Sequence, residues 1–304
     1  MKNYSLFIVS LTFSVFFFSC TPTQTDNKST KLKVLTTTGM IQEAVQKILK
    51  DSADVDVIIP VGADPHSYQT SQEDLTKFQD ADIIVVNGFH LEGKMHDLFE
   101  NLKRTKTIIY MSNGVPASKI RQLDHIGKDP HIWLDVQLWE GCIAYMASKL
   151  EKKTNWTGYI KDNLNDYLDQ LDKVDADAKK RLEALPKGSK YLITSHDAFG
   201  YFGIAYGIKV LGIKGFSTTS EASIKHVDGL VKLITEKKIK TIFPESSTSA
   251  KDIKTLVERC QENGVILHLG KELYSDSMGA KNTPTGTYSG MITHNINTIV
   301  NELK

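Results

Sequence analysis

The chain has 304 residues, of which 40% are hydrophobic and 24% charged, and its formal net charge at pH 7 is +1. This balance is ordinary for a globular protein and gives no electrostatic footprint for nucleic acid. Beyond Cys20 the chain has only Cys142 and Cys260, which lie far apart within helical patterns. This excludes a disulfide framework or a zinc knuckle, and we expect two buried thiols.

The first predicted element is an export signal. Lys2 is followed by the mostly apolar run Tyr4–Phe18, which has the proportions of a signal peptide and is short for a transmembrane helix. A small residue followed by Cys20 resembles the lipobox of bacterial lipoproteins, in which the cysteine carries the lipids; an ordinary signal peptide is the alternative. The polar residues that follow have the composition of a flexible tether. We predict a signal peptide at 1–19 and a lipid-anchored tether at 20–31.

Short β-branched apolar runs alternate with longer helical patterns along the rest of the chain. The predicted strands are Lys33–Thr37, Val55–Pro60, Ile83–Asn87, Thr107–Met111, Tyr191–Thr194, Lys209–Ile213, Thr241–Pro244 and Val265–Leu269. The predicted helices between them include Met40–Lys50, Gln72–Phe78, Leu138–Lys152, Ile224–Lys237 and Ala250–Asn263. Strands separated by helices of this length predict an α/β fold with parallel sheets, and the strands fall into two groups of four.

One charged segment, Thr157–Leu185, interrupts this alternation. It has no strand signal, and its apolar residues recur every three or four positions until a proline and a glycine end the pattern. It predicts one helix of about 29 residues, roughly 43 Å long. A surface helix on one domain is an alternative, but the central position favours a rigid helix joining two lobes. We predict lobes at 32–156 and 187–304 with the linking helix at 157–186.

Four candidate metal ligands, His66, His131, His196 and Asp276, are divided equally between the two halves. At least three follow predicted strands, at the sheet edge where α/β proteins place ligands. Both His66 and His131 stand in Asp-Pro-His, where proline restrains the backbone. Three imidazoles and one carboxylate suit zinc, and a bidentate carboxylate also suits manganese. The other histidines share no pattern and are expected at ordinary surface or core positions: His90, His96, His125, His226, His268 and His294.

These motifs resemble those of the substrate-binding lipoproteins of zinc and manganese ABC importers. The likeness extends over essentially the whole mature chain and includes Ser195–Phe202, Phe243–Ser247 and the sequence Tyr-Ser-Asp-Ser-Met-Gly around Asp276. The resemblance implies two α/β lobes with the metal site between them. The third ligand position of the family is occupied here by His196, and a histidine there leans toward zinc or dual use. By position the resemblance also implies the ligands His66, His131, His196 and Asp276, with Glu245 as a buried acid behind them.

The same resemblance implies an exported monomer, anchored by lipid to a membrane and facing the periplasm or the cell exterior, that passes metal to the permease of an importer. A zinc hydrolase is a rival interpretation, with Asp197 or Glu245 as its base. However, four protein ligands would close the coordination shell that a catalytic zinc keeps open, and no HExxH signature occurs. A surface adhesin is a second rival, without adhesive repeats to support it. We therefore expect a receptor and not an enzyme.

Overall fold

The computed structural model describes residues 31–123, 127–154 and 156–304. The predicted signal peptide, Cys20, nearly all of the predicted tether and His125 lie outside the described residues. Within the described part of the chain, no helix combines the length and apolar character needed to cross a bilayer.

The N-terminal lobe is built on a sheet of four parallel strands. These strands are β1 (Leu32–Thr36), β2 (Ala53–Val57), β3 (Ile83–Val86) and β4 (Thr107–Tyr110). Their order is β2-β1-β3-β4, so the predicted four-stranded parallel sheet of this lobe is confirmed. A short antiparallel hairpin, β5 (Gln122–Leu123) and β6 (Gly127–Lys128), follows the sheet and is not among the predicted strands.

The central strand β3 contacts a different apolar core on each face. Ile83 and Val85 pack in the larger core, whereas Ile84 and Val86 pack with Phe78 in a smaller one. Side chains of a strand alternate between faces, and two apolar faces are typical of a parallel sheet covered by helices. With both faces covered, the loops at the carboxyl edge are the part of this sheet that can offer ligands.

The C-terminal lobe contains the other four predicted strands. They are β7 (Tyr191–His196), β8 (Lys209–Lys214), β9 (Thr241–Ile242) and β10 (His268–Leu269). β7 pairs with β8 and β9 with β10, all parallel, and a parallel bridge between Thr194 and Phe243 joins the two pairs. The parallel α/β lobe is confirmed, but its sheet is less regular than predicted because the last two strands are only two residues long.

Helices pack on these sheets and between them. Those in the described residues are α1 (Gly39–Leu49), α2 (Gln72–Asp80), α3 (His96–Leu102), α4 (Val136–Thr154), α5 (Thr157–Glu183), α6 (Gly200–Tyr206), α7 (Ile224–Lys237), α8 (Lys251–Glu262) and α9 (Tyr288–Leu303). Three of them, α3, α6 and α9, are not among the helices we predict. The first two have seven residues each, too few to show a helical period. The third begins inside a stretch rich in turn-forming residues, where the Thr287 side chain accepts a bond from the Gly290 N–H.

The long helix α5 runs from Thr157 to Glu183, close to the predicted bounds, and spans about 40 Å. It is bonded to both lobes. Asn163 Nδ2 donates to the Ile48 carbonyl of α1 at 2.8 Å, and Asp175 Oδ1 accepts from the Tyr206 hydroxyl of α6 at 3.0 Å. These polar contacts fix the helix to elements of both halves.

Cys142 and Cys260 are free thiols whose side chains are fully buried in α4 and α8. Burial raises the pKa of Cys142 to about 12, so its reactive thiolate form is scarce at neutral pH. The prediction of two buried thiols is confirmed.

Candidate metal centre

The four predicted ligands meet between the two lobes. His66 lies in the loop after β2, His131 precedes α4, His196 ends β7, and Asp276 lies beyond β10. Their ligating atoms all lie within 4.8 Å of one another, and all four residues are buried. His196 belongs to a strand and not to the loop predicted, because β7 extends two residues past Thr194.

The spacing of the four side chains matches one metal ion. His131 Nε2 is 3.3 Å from His66 Nε2 and 3.2 Å from His196 Nε2. Asp276 turns both oxygens toward them: Oδ1 is 3.4 Å from His131 Nε2, and Oδ2 is 3.3 Å from His196 Nε2. Ligands about 2.0–2.1 Å from a tetrahedral ion are about 3.3 Å apart. The side chains therefore enclose a space of the size of such an ion.

His131 is backed by the aspartate of its own Asp-Pro-His motif. Asp129 Oδ1 lies 2.7 Å from His131 Nδ1 and also accepts the backbone N–H of His131 at 3.0 Å. An aspartate that accepts a backbone N–H two residues later forms a local turn, which here holds the imidazole in place. A carboxylate at Nδ1 fixes the tautomer and turns Nε2 toward the metal.

His196 also has a carboxylate beside Nδ1, which comes from a distant part of the chain. Glu245 Oε2 lies 2.6 Å from His196 Nδ1, and Glu245 Oε1 accepts the backbone N–H of His196 at 2.9 Å. Glu245 is buried, so it occupies the position that the resemblance implied for it. We call His131, His196 and the two carboxylates behind them the acid-backed side of the centre.

His66 and Asp276 are supported differently. The backbone N–H of His66 donates to Asp64 Oδ1 at 2.9 Å, and Thr218 of the C-terminal lobe donates its hydroxyl to Asp64 Oδ2 at 2.6 Å. The Ser277 hydroxyl accepts the backbone N–H of residue 62 at 2.8 Å. In the described part of the chain, His66 has no ion-pair partner at Nδ1. We call His66, Asp276 and these hydroxyl contacts the hydroxyl-bridged side.

Asp276 is a buried carboxylate whose hydrogen bonding is incomplete. Burial acts to raise its pKa, but the charges of His196, His131 and His66 outweigh this and hold the pKa well below its usual range. Its Oδ1 atom has no hydrogen-bond partner among the described residues, and Ser247 reaches Oδ2 only at 3.4 Å. An ionised, incompletely bonded carboxylate is costly in a protein interior, and a cation in the enclosed space would offset that cost.

His196 and His66 also differ in their affinity for protons. Burial lowers the pKa of His66 to about 4, an effect that Asp276 opposes and the other two imidazoles reinforce. Burial also acts to lower the pKa of His196, but the charges of Glu245 and Asp276 raise it well above the ordinary value. Without metal, a proton is therefore bound more tightly at His196 than at His66.

The remaining described histidines lie on the surface or are partly exposed, as expected: His90, His96, His226, His268 and His294. His226 and His294 contact backbone carbonyl oxygens, and His268 lies 3.1 Å from Glu302. The rings of His90 and His96 lie 5.0 Å apart between centroids, without a third potential ligand. Within the described residues, the four predicted ligands form the single group of three or more that could hold an ion.

Sequence reasoning missed the residues that join the lobes around the centre. Arg121 contacts Asp129 Oδ2 at 2.6 Å and Asp197 Oδ2 at 2.7 Å, and Thr218 bonds to Asp64. The sequence motifs do contain these three aspartates, because each lies within two residues of a predicted ligand. Their need for a cation could be anticipated, but nothing in the sequence selects one of 37 lysines and arginines.

The fold and the enclosed ligand set are those of a two-lobed metal-binding receptor. Residues 34–302 match the family described as ZnuA, the periplasmic component A of a zinc-uptake complex. The chain therefore belongs to this family of periplasmic zinc-uptake components.

Two relatives and one solved structure are similar to nearly the whole chain. The manganese-binding lipoprotein MntA of Bacillus subtilis is 38% identical over 277 residues, which are 90% of each chain. The zinc-binding protein TroA of Treponema pallidum is 39% identical over 268 residues, 88% of this chain and 87% of TroA. A solved structure of periplasmic TroA from Treponema pallidum superposes with a TM-score of 0.87 at 39% identity, covering 90% of this chain and 99% of that one. The predicted family and the two-lobed α/β fold are confirmed.

Proposed function

We propose that this chain captures a zinc or manganese ion with His66, His131, His196 and Asp276, and delivers it to the membrane permease of an ABC importer. The observation that carries the proposal is the convergence of these four buried side chains from both lobes. Membership of a family of metal-uptake components supports the same reading. The metal is the transported substrate, so the site has to hold it tightly and also release it.

The ligand set supports zinc as the ion with the higher affinity. Three imidazole nitrogens and one oxygen at near-tetrahedral spacing suit zinc, and the general affinity order places zinc above manganese. Asp276 presents both oxygens to the enclosed space, which would give manganese a fifth donor. The relatives named for manganese and for zinc are consistent with a site of this dual character.

The environment of the site supports transport and argues against hydrolysis. A hydrolytic zinc keeps one position open for water and needs a nearby base, but four protein ligands fill a tetrahedral shell. Both candidate bases are already engaged. Asp197 is paired with Arg121, and Glu245 lies against His196 Nδ1, on the side of the ring away from the ion.

The proposal extends to the ends of the chain and its division into lobes. We place the mature N-terminus at a lipidated Cys20, so that the tether to residue 31 holds a monomeric receptor near its permease, outside the cytoplasm. The lobes at 32–156 and 187–304 would each offer a surface to the permease. The linking segment 157–186 corresponds to a helix bonded to elements of both lobes.

Metal content tests this proposal directly. After purification without chelator and without added metal, the full-length mature protein should carry about one zinc or manganese ion per chain, measured by mass spectrometry of the metals. The variant His196→Ala should lose this metal, whereas His268→Ala, which changes an exposed histidine outside the centre, should retain it. Equal metal contents in the two variants would reject the ligand assignment, and hydrolysis of simple esters by the zinc-loaded protein would support an enzyme instead.

A further inference from the structure

We propose that Arg121 is a positioning residue that holds His131 and His196, the histidine ligands of the acid-backed side, at the spacing that the metal requires. Arg121 contacts neither ligand itself. Its guanidinium group joins the carboxylates of Asp129 and Asp197, one beside each histidine. The inference rests on the proposed function, because it assigns a role within the same metal centre.

The first half of this connection lies in the N-terminal lobe. Arg121 Nη1 is 2.6 Å from Asp129 Oδ2, and the other oxygen of Asp129 is 2.7 Å from His131 Nδ1. The backbone carbonyl of Arg121 also accepts the N–H of Asp129 at 2.8 Å. Asp129 is fully buried, so these bonds are not shared with bulk water. A displacement of the guanidinium group would therefore be transmitted through Asp129 to the His131 ring.

The second half lies in the C-terminal lobe. Arg121 Nη2 is 2.7 Å from Asp197 Oδ2, and Asp197 directly follows His196 in the chain. The Tyr201 hydroxyl accepts the backbone N–H of Arg121 at 2.9 Å, and the guanidinium carbon lies 4.8 Å from the centre of the Phe216 ring. Residues of the C-terminal lobe thus surround an arginine that belongs to the N-terminal half.

Gly200 shows how closely this arginine is fitted. A Cβ atom added at Gly200 would overlap the guanidinium group of Arg121. The glycine of the motif Ser-His-Asp-Ala-Phe-Gly therefore leaves the space that the arginine occupies. Its backbone has no positive φ, so the requirement comes from close approach and not from conformation.

The contacts require arginine in particular. A guanidinium group is a planar fork that can donate to two carboxylates in fixed directions, whereas a lysine ammonium is a single point charge on a flexible stem. The one positive charge also compensates two carboxylates that are wholly or largely buried. Arg121 therefore sets both the distance between the lobes and the orientation of His131 on this side of the centre.

The test compares Arg121→Lys with Arg181→Lys in the full-length mature protein loaded with cobalt(II). Arg181 is a matched control, because it also forms an ion pair, with Asp177 at 3.2 Å, and is similarly accessible, but it lies on α5. The visible absorption spectrum of bound cobalt reports ligand geometry, and transfer of the ion to an excess of chelator reports its release. We expect the Arg121 variant to show an altered spectrum and roughly 10–100-fold faster release, the size of effect typical of groups behind metal ligands.

The control variant should match the wild type in both measurements. An unchanged cobalt spectrum and release rate in Arg121→Lys would overturn the inference, and so would a lower melting temperature of the metal-free variant without a spectral change. If the wild-type protein fails to bind one ion per chain, the proposed function itself fails. Binding by the wild type with no effect of the Arg121 change would reject only the positioning role.

Discussion

The acid-backed side and the hydroxyl-bridged side of the proposed metal centre would hold the same ion by different means. His131 and His196 each have a buried carboxylate behind Nδ1, whereas His66 has no such partner in the described residues. The first side is joined across the lobes by the charged groups of Arg121, and the second by bonds from neutral groups, such as that of Thr218. The hydroxyl of Thr218 makes one contact with a carboxylate, whereas the planar guanidinium fork of Arg121 joins two carboxylates in fixed directions. We therefore expect the acid-backed half of the centre to be the more rigid one, and the other half to adjust more easily.

This difference indicates a route for metal release. The long helix α5 is bonded to both lobes and contains neither proline nor an interior glycine at which it could bend. Exchange of the ion would then depend on local movement, which is easiest where the contacts are weakest. Asp276 and its loop lie on the hydroxyl-bridged side, so we expect this ligand to leave first.

The largest effect should come from removing the ion, which joins both sides. A ligand that binds only the native state stabilises it by about 4 kcal/mol at a thousandfold excess over Kd. Treatment with a chelator should lower the melting temperature in calorimetry, and added zinc or manganese should restore it. Identical melting curves with and without either metal would contradict binding by the folded protein.

Substitution of single proposed ligands should have the next largest effect, and its size should distinguish the two sides. Replacing a group behind a metal ligand costs about 10–100-fold in affinity. Because His196→Ala removes a proposed ligand itself, it should lower zinc affinity by more than about a hundredfold. His66→Ala should lower zinc affinity less than His196→Ala, because the imidazole that it removes has no carboxylate at Nδ1 to hold it. Competition with a fluorescent zinc chelator measures both, with His90→Ala as a control of little effect. A greater loss from His66→Ala would reverse the assigned order of the two sides.

Substitution of the supporting carboxylates compares the sides without removing a ligand. Glu245→Gln keeps the size of the side chain but removes the charge behind His196, so zinc affinity should fall about 10–100-fold. Asp64→Asn retains an acceptor for the backbone N–H of His66 and should cost less than about tenfold. The two zinc affinities can be measured in the same competition assay. Equal losses would show that the sides do not differ in rigidity.

Metal affinity should rise with pH because an ion has to displace a proton from His196. The pKa of His196 in the metal-free protein is raised well above its ordinary value, whereas burial lowers that of His66 to about 4. At neutral pH, binding should release about one proton, and affinity should fall about tenfold per unit of decreasing pH. Calorimetry in buffers of different ionisation enthalpy counts the protons. Glu245→Gln removes a charge that raises the pKa of His196, so it should weaken this dependence.

The smallest effect should be the structural change itself. Hydrogen exchange with and without metal should differ most around Asp276 and its loop, and little in α5 between residues 157 and 183. A movement confined to one loop alters few backbone hydrogen bonds, so the protection pattern of the remaining chain should be nearly unchanged. Changes concentrated in α5, with none near Asp276, would place the hinge in the helix.

Much of this protein follows from its sequence alone. Alternation of apolar strands and helical patterns predicts the eight parallel strands, because a parallel sheet is buried on both faces and its strands are therefore rich in apolar residues. The long helix shows its period directly over Thr157–Glu183. The four candidate ligands can also be found in the sequence: His66 and His131 share the Asp-Pro-His motif, His196 and Asp276 lie near the ends of predicted strands, and the resemblance implies the same four residues.

Other features are decided only by the tertiary structure. The short helices α3 and α6 carry too few residues for a period, and β9 and β10 are only two residues long, shorter than the apolar runs that predict them. Glu245 becomes a partner of His196 only through contact across 49 residues, and Arg121 meets Asp197 across 76. Local sequence constrains which residue types a segment can bury, but such distant pairs leave no periodic pattern. The sequence therefore determined which chemistry is available to the site, while the packing of the two lobes determined which charged groups hold it in place.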